Sequence, residues 1–164
     1  MNSSGERTTP SLLYAVKRLE LVIRAQLDEV LRGSGVTTPQ YTALSVLAHQ
    51  DGISAAQLAR NSFVTPQAMA DMLRALQQRG LVRRIPNPDN RRERLVRITA
   101  AGRRFMSAYA DAVDAIEDQM TAGLTGAHTN AFRHALTVTW QALHPGRPVS
   151  RWRRARSQAG WSDT

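Results

Sequence analysis

Two short helices with capping signals, separated by a few residues, constrain the fold of this chain most strongly. Ser54-Ala55-Ala56-Gln57 has the capping-box pattern that begins a helix, here extending to about Asn61. Thr65-Pro66 supplies an N-cap and an N1 proline for a second helix, Pro66–Arg79, which Gly80 ends. Apolar residues recur along this second helix at helical spacing, at Met69, Met72, Leu73 and Leu76. Together the two helices predict a helix-turn-helix.

An arginine-rich hairpin is predicted directly after the second helix. Two short extended runs, Leu81–Ile85 and Arg94–Thr99, flank a segment rich in turn residues over 86–93. Residues 81–104 hold eight arginines against two acidic residues, a net charge of +6 in a chain whose total is +9. Such a positive segment favours an anionic polymer as partner, and arginine suits phosphate groups and guanine edges.

Long amphipathic helices are predicted on both sides of these motifs. Apolar residues follow helical spacing over 12–32, and again in a helix that Thr99 caps. A last helix is predicted from about His128 to Leu143. Thr38-Pro39 is interpreted as an N-cap and N1 proline that begin a further helix, ending near Gln50.

Several classes of protein are excluded by what the sequence lacks. It has no cysteine, which excludes a disulfide scaffold, a thiolate metal site and a cysteine nucleophile. No apolar run is long enough to cross a membrane, and we expect a cytoplasmic protein. The four histidines do not form a metal-binding pattern, and no catalytic triad or phosphate loop is present. We therefore predict no catalytic residues, no metal and no cofactor.

The order of motifs over 54–102 resembles the winged-helix core of the MarR family of bacterial transcription regulators, and the order of elements does so over 12–143. The resemblance lies in Leu58-Ala59-Arg60, Thr65-Pro66-Gln67-Ala68-Met69, Leu76-Gln77-Gln78-Arg79-Gly80-Leu81-Val82-Arg83-Arg84 and the stretch from Asn87 to Gly102. The glycine-leucine-valine run, the arginine-rich wing and the strand that follows it form its specific part.

This resemblance implies a mainly α fold with a small β-hairpin wing, a winged helix-turn-helix flanked by long dimerisation helices. The implied segments are a disordered arm at 1–10, an N-terminal dimerisation helix at 11–35, a DNA-binding lobe at 36–102, C-terminal dimerisation helices at 103–144 and a basic mobile tail at 145–164. The implied partners are a second copy of the chain and palindromic operator DNA. The implied function is sequence-specific regulation, usually repression.

Three sets of candidate site residues follow. The recognition helix would contact DNA through Thr65, Gln67, Ala68, Ala70, Asp71 and Arg74, and the wing through Arg91, Arg92 and Arg94. Family members are often released from DNA by small aromatic ligands. A pocket for such an effector could be lined by Leu19, Ile23, Tyr41, Leu44, Met106 and Tyr109, although all six could equally be ordinary core residues.

The sequence departs from the family pattern at two places. The family usually has an aspartate two residues before the wing arginine; here Asn90 occupies that place, and Arg92 is the best match to the arginine. At Ala70 and Asp71 the family more often has a serine or threonine followed by an arginine. An acidic side chain that faces DNA lowers affinity unless the amine of a cytosine donates a hydrogen bond to it. Asp71 therefore either contributes to specificity or directs its side chain along the protein instead of towards DNA.

Two other functions remain open at this point. An architectural DNA-binding protein without an effector would share the fold but would show little sequence preference. A protein-interaction module that has lost DNA binding would explain Asp71 and Asn90, but the net charge of +6 over 81–104 argues against it.

Overall fold

The structure, a computed structural model, describes residues 10–143. Within that range the chain forms six helices and three strands: α1 (Leu12–Val30), α2 (Thr38–His49), β1 (Ile53–Ser54), α3 (Ala55–Asn61), α4 (Pro66–Gln78), β2 (Val82–Pro86), β3 (Arg94–Ile98), α5 (Ala100–Thr121) and α6 (Gly126–Leu143). The predicted arm at 1–10, apart from Pro10, and the predicted tail at 145–164 lie outside the described residues. The chain divides after Gln119 into two compact units.

The first unit is built around one hydrophobic core. Helices α2, α3 and α4 pack together against the sheet, and their inward residues leave almost no surface in contact with water. The largest fully buried side chains are Leu44, Leu47, Leu58, Met69, Leu73, Leu76 and Val96. This burial of apolar surface is the main stabilising contribution to the lobe that carries the helix-turn-helix.

The sheet has three strands in the order β1-β3-β2, all antiparallel. The predicted hairpin of β2 and β3 is confirmed, with Val82 opposite Ile98 and Pro86 opposite Arg94. This hairpin, residues 82–98, is the wing, and residues 87–93 form its tip. The third strand, β1, was not predicted: it pairs Ile53 with Val96 and Ser54 with Leu95. Because β1 leads directly into α3, the central strand of the wing is hydrogen-bonded to the start of the helix-turn-helix.

Helix caps agree with the sequence pattern at most positions. Ser54 accepts a hydrogen bond from the backbone N of Gln57 at 3.2 Å, and Thr65 accepts one from that of Ala68 at 3.1 Å. The prediction that Thr38 caps α2 is wrong, since Thr37 is the N-cap and forms a capping box with Gln40. The last helix begins two residues earlier than predicted, at Gly126.

A tight junction joins α4, the wing and α5. The Thr99 hydroxyl lies 2.6 Å from the carbonyl oxygen of Gly80 and accepts a hydrogen bond from the backbone N of Gly102 at 3.0 Å. Gly102 is buried in the first turn of α5, where a Cβ atom would lie 2.3 Å from the carbonyl oxygen of Leu81 and 2.7 Å from Cγ1 of Ile98. Only glycine therefore allows α5 to approach the base of the wing this closely.

The long helices carry much exposed apolar surface in the single chain. On α1 the exposed apolar side chains are Leu12, Leu13, Tyr14, Val16, Leu21 and Val22. In the second unit, α6 exposes Leu136, Val138 and Leu143, and the connection before it exposes Leu124. Among the described residues, none of the helices combines the length and the apolar character needed to cross a membrane.

Candidate DNA interface

The second helix of the helix-turn-helix, α4, separates apolar from polar residues cleanly. Met69, Leu73 and Leu76 are fully buried in the core, which fixes the orientation of the helix. The opposite face exposes Gln67, Asp71, Arg74 and Gln78, which recur at intervals of four, three and four residues. Such a face, polar and continuous over the whole helix, is what a recognition helix presents to base edges in a major groove.

The N-terminal end of α4 has the small side chains that close approach to DNA requires. Thr65 is exposed as the N-cap, while Ala68 and Ala70 are half-buried beside the exposed Gln67. The side-chain oxygen of Thr65 satisfies the backbone N of Ala68, and the remaining amide groups of the first turn favour a nearby anion. The predicted recognition residues thus lie on one stretch of helix surface.

Asp71 and Arg74 form an ion pair on the exposed face of α4. The Arg74 guanidinium donates to Oδ1 of Asp71, and both side chains are more than half exposed. An exposed pair of this kind contributes little stability, but it restricts the orientations of the arginine fork. In this structure the Asp71 carboxylate is directed towards Arg74 of the same helix.

The wing presents its predicted arginines to solvent. Arg91 and Arg92 are exposed in the turn at the tip, and Arg94 is exposed at the start of β3. Asn90, at the place of the family's aspartate, accepts a hydrogen bond at its Oδ1 from the backbone N of Arg92 at 3.1 Å. The base of the tip is closed by Asn87, whose side chain donates to Glu93 at 2.8 Å.

The two strands of the wing hold a pair of exposed arginines that was not among the predicted site residues. Arg83 on β2 and Arg97 on β3 are both exposed and stand directly opposite each other in the antiparallel register. Like charges at directly opposed positions destabilise a strand pair, and an anion beside them would offset that repulsion. The alternation of residues along each strand indicates that both arginines are exposed. That they stand opposite each other follows only from the strand register.

Polar contacts tie the wing to the rest of the first unit. Oδ1 of Asp51, in the turn before β1, accepts a hydrogen bond from the backbone N of Ile98 at 2.9 Å. Its Oδ2 pairs with Arg103 of α5 at 3.3 Å. At the C-terminal end of α4, the Arg79 side chain donates a hydrogen bond to the carbonyl oxygen of Ser34 at 2.6 Å. Ser34 lies in the loop that follows α1. These contacts restrict the position of the candidate DNA-binding surface relative to α1 and α5.

The six candidate effector-pocket residues fall into two groups. Leu44 is fully buried and Tyr41 is 7% exposed, so both belong to the hydrophobic core. Leu19 and Ile23 are half-buried on α1, and Met106 and Tyr109 pack from α5 against the core. Burial raises the pKa of the Tyr41 phenol, Asp114 raises it further, and a hydrogen bond with Ser45 lowers it.

No group of three or more potential metal ligands occurs within residues 10–143. His144, one of the four histidines considered above, lies outside the described residues. The described features therefore define a surface made of a helix-turn-helix and a basic wing. They assign this chain to the winged helix-turn-helix class of DNA-binding proteins.

Known proteins narrow this class to one family. The MarR family profile matches residues 36–93. The HTH-type transcriptional repressor Rv2887 of Mycobacterium tuberculosis is 32% identical over 123 residues, which cover 75% of this chain and 88% of the relative. The chain belongs to the MarR family. It is a DNA-binding transcriptional regulator of that type and not an enzyme.

Solved structures share the fold along most of the chain. A MarR family transcriptional regulator from Silicibacter pomeroyi has a TM-score of 0.75 at 27% identity, covering 84% of this chain and 92% of its own. Rv2887 in complex with DNA has a TM-score of 0.64 at 30% identity, covering 80% and 98%. CouR from Rhodococcus jostii RHA1, solved with p-coumaroyl-CoA, has a TM-score of 0.72 at 23% identity, covering 85% and 96%.

Proposed function

We propose that this protein is a homodimeric, sequence-specific repressor that binds a palindromic operator. The observation that carries the proposal is the continuous polar face of α4 beside the wing and the start of α5, where residues 81–104 have a net charge of +6. Within each half-site, α4 would lie in the major groove and the wing would approach the adjacent minor groove. The base contacts would come from Thr65, Gln67, Ala68, Ala70, Asp71 and Arg74.

The exposed apolar residues of α1 support a homodimer. Leu12 and Leu13 are 84% and 83% exposed in the single chain, and Val22 is 57% exposed. Exposed apolar surface on this scale marks an interaction site, and a second copy of the chain would cover it. The segments 11–35 and 103–144 would then join the two DNA-binding lobes. Sedimentation equilibrium should give twice the mass of one chain at micromolar concentration.

The decisive test is binding to DNA from beside the gene that encodes this protein. We expect the protein to prefer that promoter fragment over random DNA of equal length, and to keep the preference when the salt concentration is raised. Non-specific binding depends on counterion release and weakens steeply with salt, whereas base contacts do so less. Equal binding of both fragments, lost at higher salt, would instead indicate an architectural DNA-binding protein.

The wing makes a separate contribution that can be measured. We expect Arg92→Ala to weaken binding to promoter and random DNA alike, because a wing arginine approaches the phosphates and the narrow groove rather than one base. With two wings per dimer, the slope of log K against log salt should fall by about 2. Arg24→Ala removes the same charge from an exposed position on α1 and should leave the slope unchanged. An unaltered slope for Arg92→Ala would show that the wing does not touch DNA.

We further propose that an aromatic ligand weakens DNA binding by entering beside the core between α1, α2 and α5. The half-buried Leu19, Ile23, Met106 and Tyr109 would contact it, together with the edge of Tyr41. The fully buried Leu44 would be reached only if the neighbouring side chains moved apart. A fluorescence titration of the protein–promoter complex with simple aromatic carboxylates tests this idea. We expect at least one of them to release the DNA at a concentration that leaves the protein folded.

A further inference from the structure

The turn between α3 and α4 has a defined hydrogen-bond pattern. The backbone N of Val64 donates to the carbonyl oxygen of Ala59 at 3.1 Å, and that of Phe63 donates to Arg60 at 3.5 Å. These two bonds form a Schellman motif, which ends a helix with one residue in the left-handed conformation. That residue is Phe63, with a φ angle of 58°.

The left-handed backbone conformation of Phe63 is unusual for its residue type. The left-handed conformation suits glycine or asparagine and strains a bulky side chain. The same motif ends α4, where the left-handed residue is Gly80 with a φ angle of 70°. Within residues 10–143, Phe63 is the only non-glycine residue with a positive φ angle. Strained residues of this kind often occur at functional sites.

The position of Phe63 on the surface indicates what it could contact. The residue is 67% exposed and precedes Thr65, the N-cap of α4, by two residues. Two residues of chain span at most about 7 Å, so Phe63 lies beside the first turn of the recognition helix. In helix-turn-helix proteins this first turn is the part that contacts base edges. An aromatic side chain is thus exposed at the rim of the proposed DNA-binding surface.

We propose that Phe63 is a specificity-determining residue whose ring contacts the 5-methyl group of a thymine at the rim of the major groove. Apolar side chains recognise thymine through this methyl group, which protrudes into the major groove and is absent from cytosine. The contact removes exposed apolar surface of the ring from water, which offsets the backbone strain in the complex. This inference rests on the proposed function, in which α4 enters the major groove of a specific operator.

Two substitutions at position 63 separate the contact from the strain. Phe63→Asn removes the ring and suits the left-handed backbone, so we expect the variant to fold, with a Tm within about 4 °C of that of the wild type. The same variant should bind the promoter fragment roughly tenfold more weakly. Phe63→Leu keeps an apolar side chain and the strain, so its Tm should stay near that of the wild type and most of its affinity should remain. A variant that keeps its Tm yet binds less well cannot be explained by misfolding.

The thymine methyl groups are tested directly with DNA in which uracil replaces thymine. This promoter fragment keeps its sequence and base pairing but lacks every 5-methyl group in the major groove. We expect the wild type to lose more affinity on this replacement than Phe63→Asn does, because the variant no longer has the ring that contacts the methyl group. Equal losses for the two proteins would overturn the thymine contact.

The remaining outcomes distinguish this inference from the proposed function. If the wild type prefers the promoter fragment and Phe63→Asn binds it equally well, only the role of Phe63 is wrong. If Phe63→Asn loses affinity equally for promoter and random DNA, the ring contacts the sugar–phosphate backbone, and the specificity role is overturned. If the wild type itself shows no preference for the promoter fragment, the proposed function fails, and the base contact fails with it.

Discussion

Replacing Arg74 by alanine should weaken binding to the promoter fragment by roughly 10- to 100-fold, or about 1–3 kcal/mol. Arg74 is exposed in the middle of the polar face of α4, where its fork can donate to both acceptors of a guanine. A base contact of this type is lost only on the cognate sequence, so binding to random DNA should change less than threefold. Fluorescence anisotropy at two salt concentrations measures both affinities.

Two further variants distinguish base reading by Arg74 from its charge. Arg74→Lys keeps the charge but lacks the planar fork, so it should bind random DNA as the wild type does and still lose the preference for the promoter fragment. Asp71→Asn removes the partner carboxylate and its repulsion of phosphates. This variant should bind random DNA more tightly, and the difference in affinity between the promoter fragment and random DNA should become smaller. Equal losses on both DNAs for Arg74→Ala would contradict a base-reading role.

Replacing Gly102 by alanine should lower the free energy of unfolding by about 2–3 kcal/mol. The added Cβ would lie 2.3 Å from the carbonyl oxygen of Leu81, a backbone atom that cannot rotate away. The start of α5 would have to move from the base of the wing, which lengthens the hydrogen bonds that Thr99 makes there. Urea denaturation at a fixed protein concentration measures the effect, since association also changes apparent stability.

The direction of the stability change distinguishes a steric clash at Gly102 from the usual effect of alanine in a helix. A glycine-to-alanine change in a helix ordinarily stabilises it by about 0.5–1 kcal/mol. Gly126, the first residue of α6, provides the matched control because a Cβ there would meet nothing within 4 Å. Gly126→Ala should therefore be neutral or slightly stabilising. If both variants unfold at the same urea concentration, the close approach of α5 to the wing is not a constraint on folding.

Local signals in the sequence predicted most of the secondary structure, and tertiary contacts explain the exceptions. Strand β1 is two residues long, and its partner β3 lies more than 40 residues further along the chain, so no local pattern indicates it. Thr37 and Thr38 are both suitable caps. The hydroxyl of Thr38 donates to Asp28 of α1 at 2.5 Å, and Thr37 forms the cap instead.

The candidate site was predictable to different degrees. The polar face of α4 and the wing tip follow from periodicity and turn residues, because both are short-range properties. The Asp71–Arg74 pair also has a local signal, the i, i+3 spacing on a helix. The opposition of Arg83 and Arg97 depends on strand register, and the left-handed backbone of Phe63 has no signal in its residue type.

The tip of the wing is held by hydrogen bonds within the tip itself. This feature affects how the sequences of such regulators diverge. The strand pairing ends at Pro86 and Arg94, and the tip beyond it is held by its own turn hydrogen bonds, such as that from the backbone N of Asn90 to Asn87 at 3.3 Å. Residues 87–93 supply no side chain to the hydrophobic core. Substitutions in the tip that keep these hydrogen bonds should therefore change the stability of the fold little. Descendants of one ancestral gene can acquire new groove contacts there, one mutation at a time, without passing through an unstable intermediate.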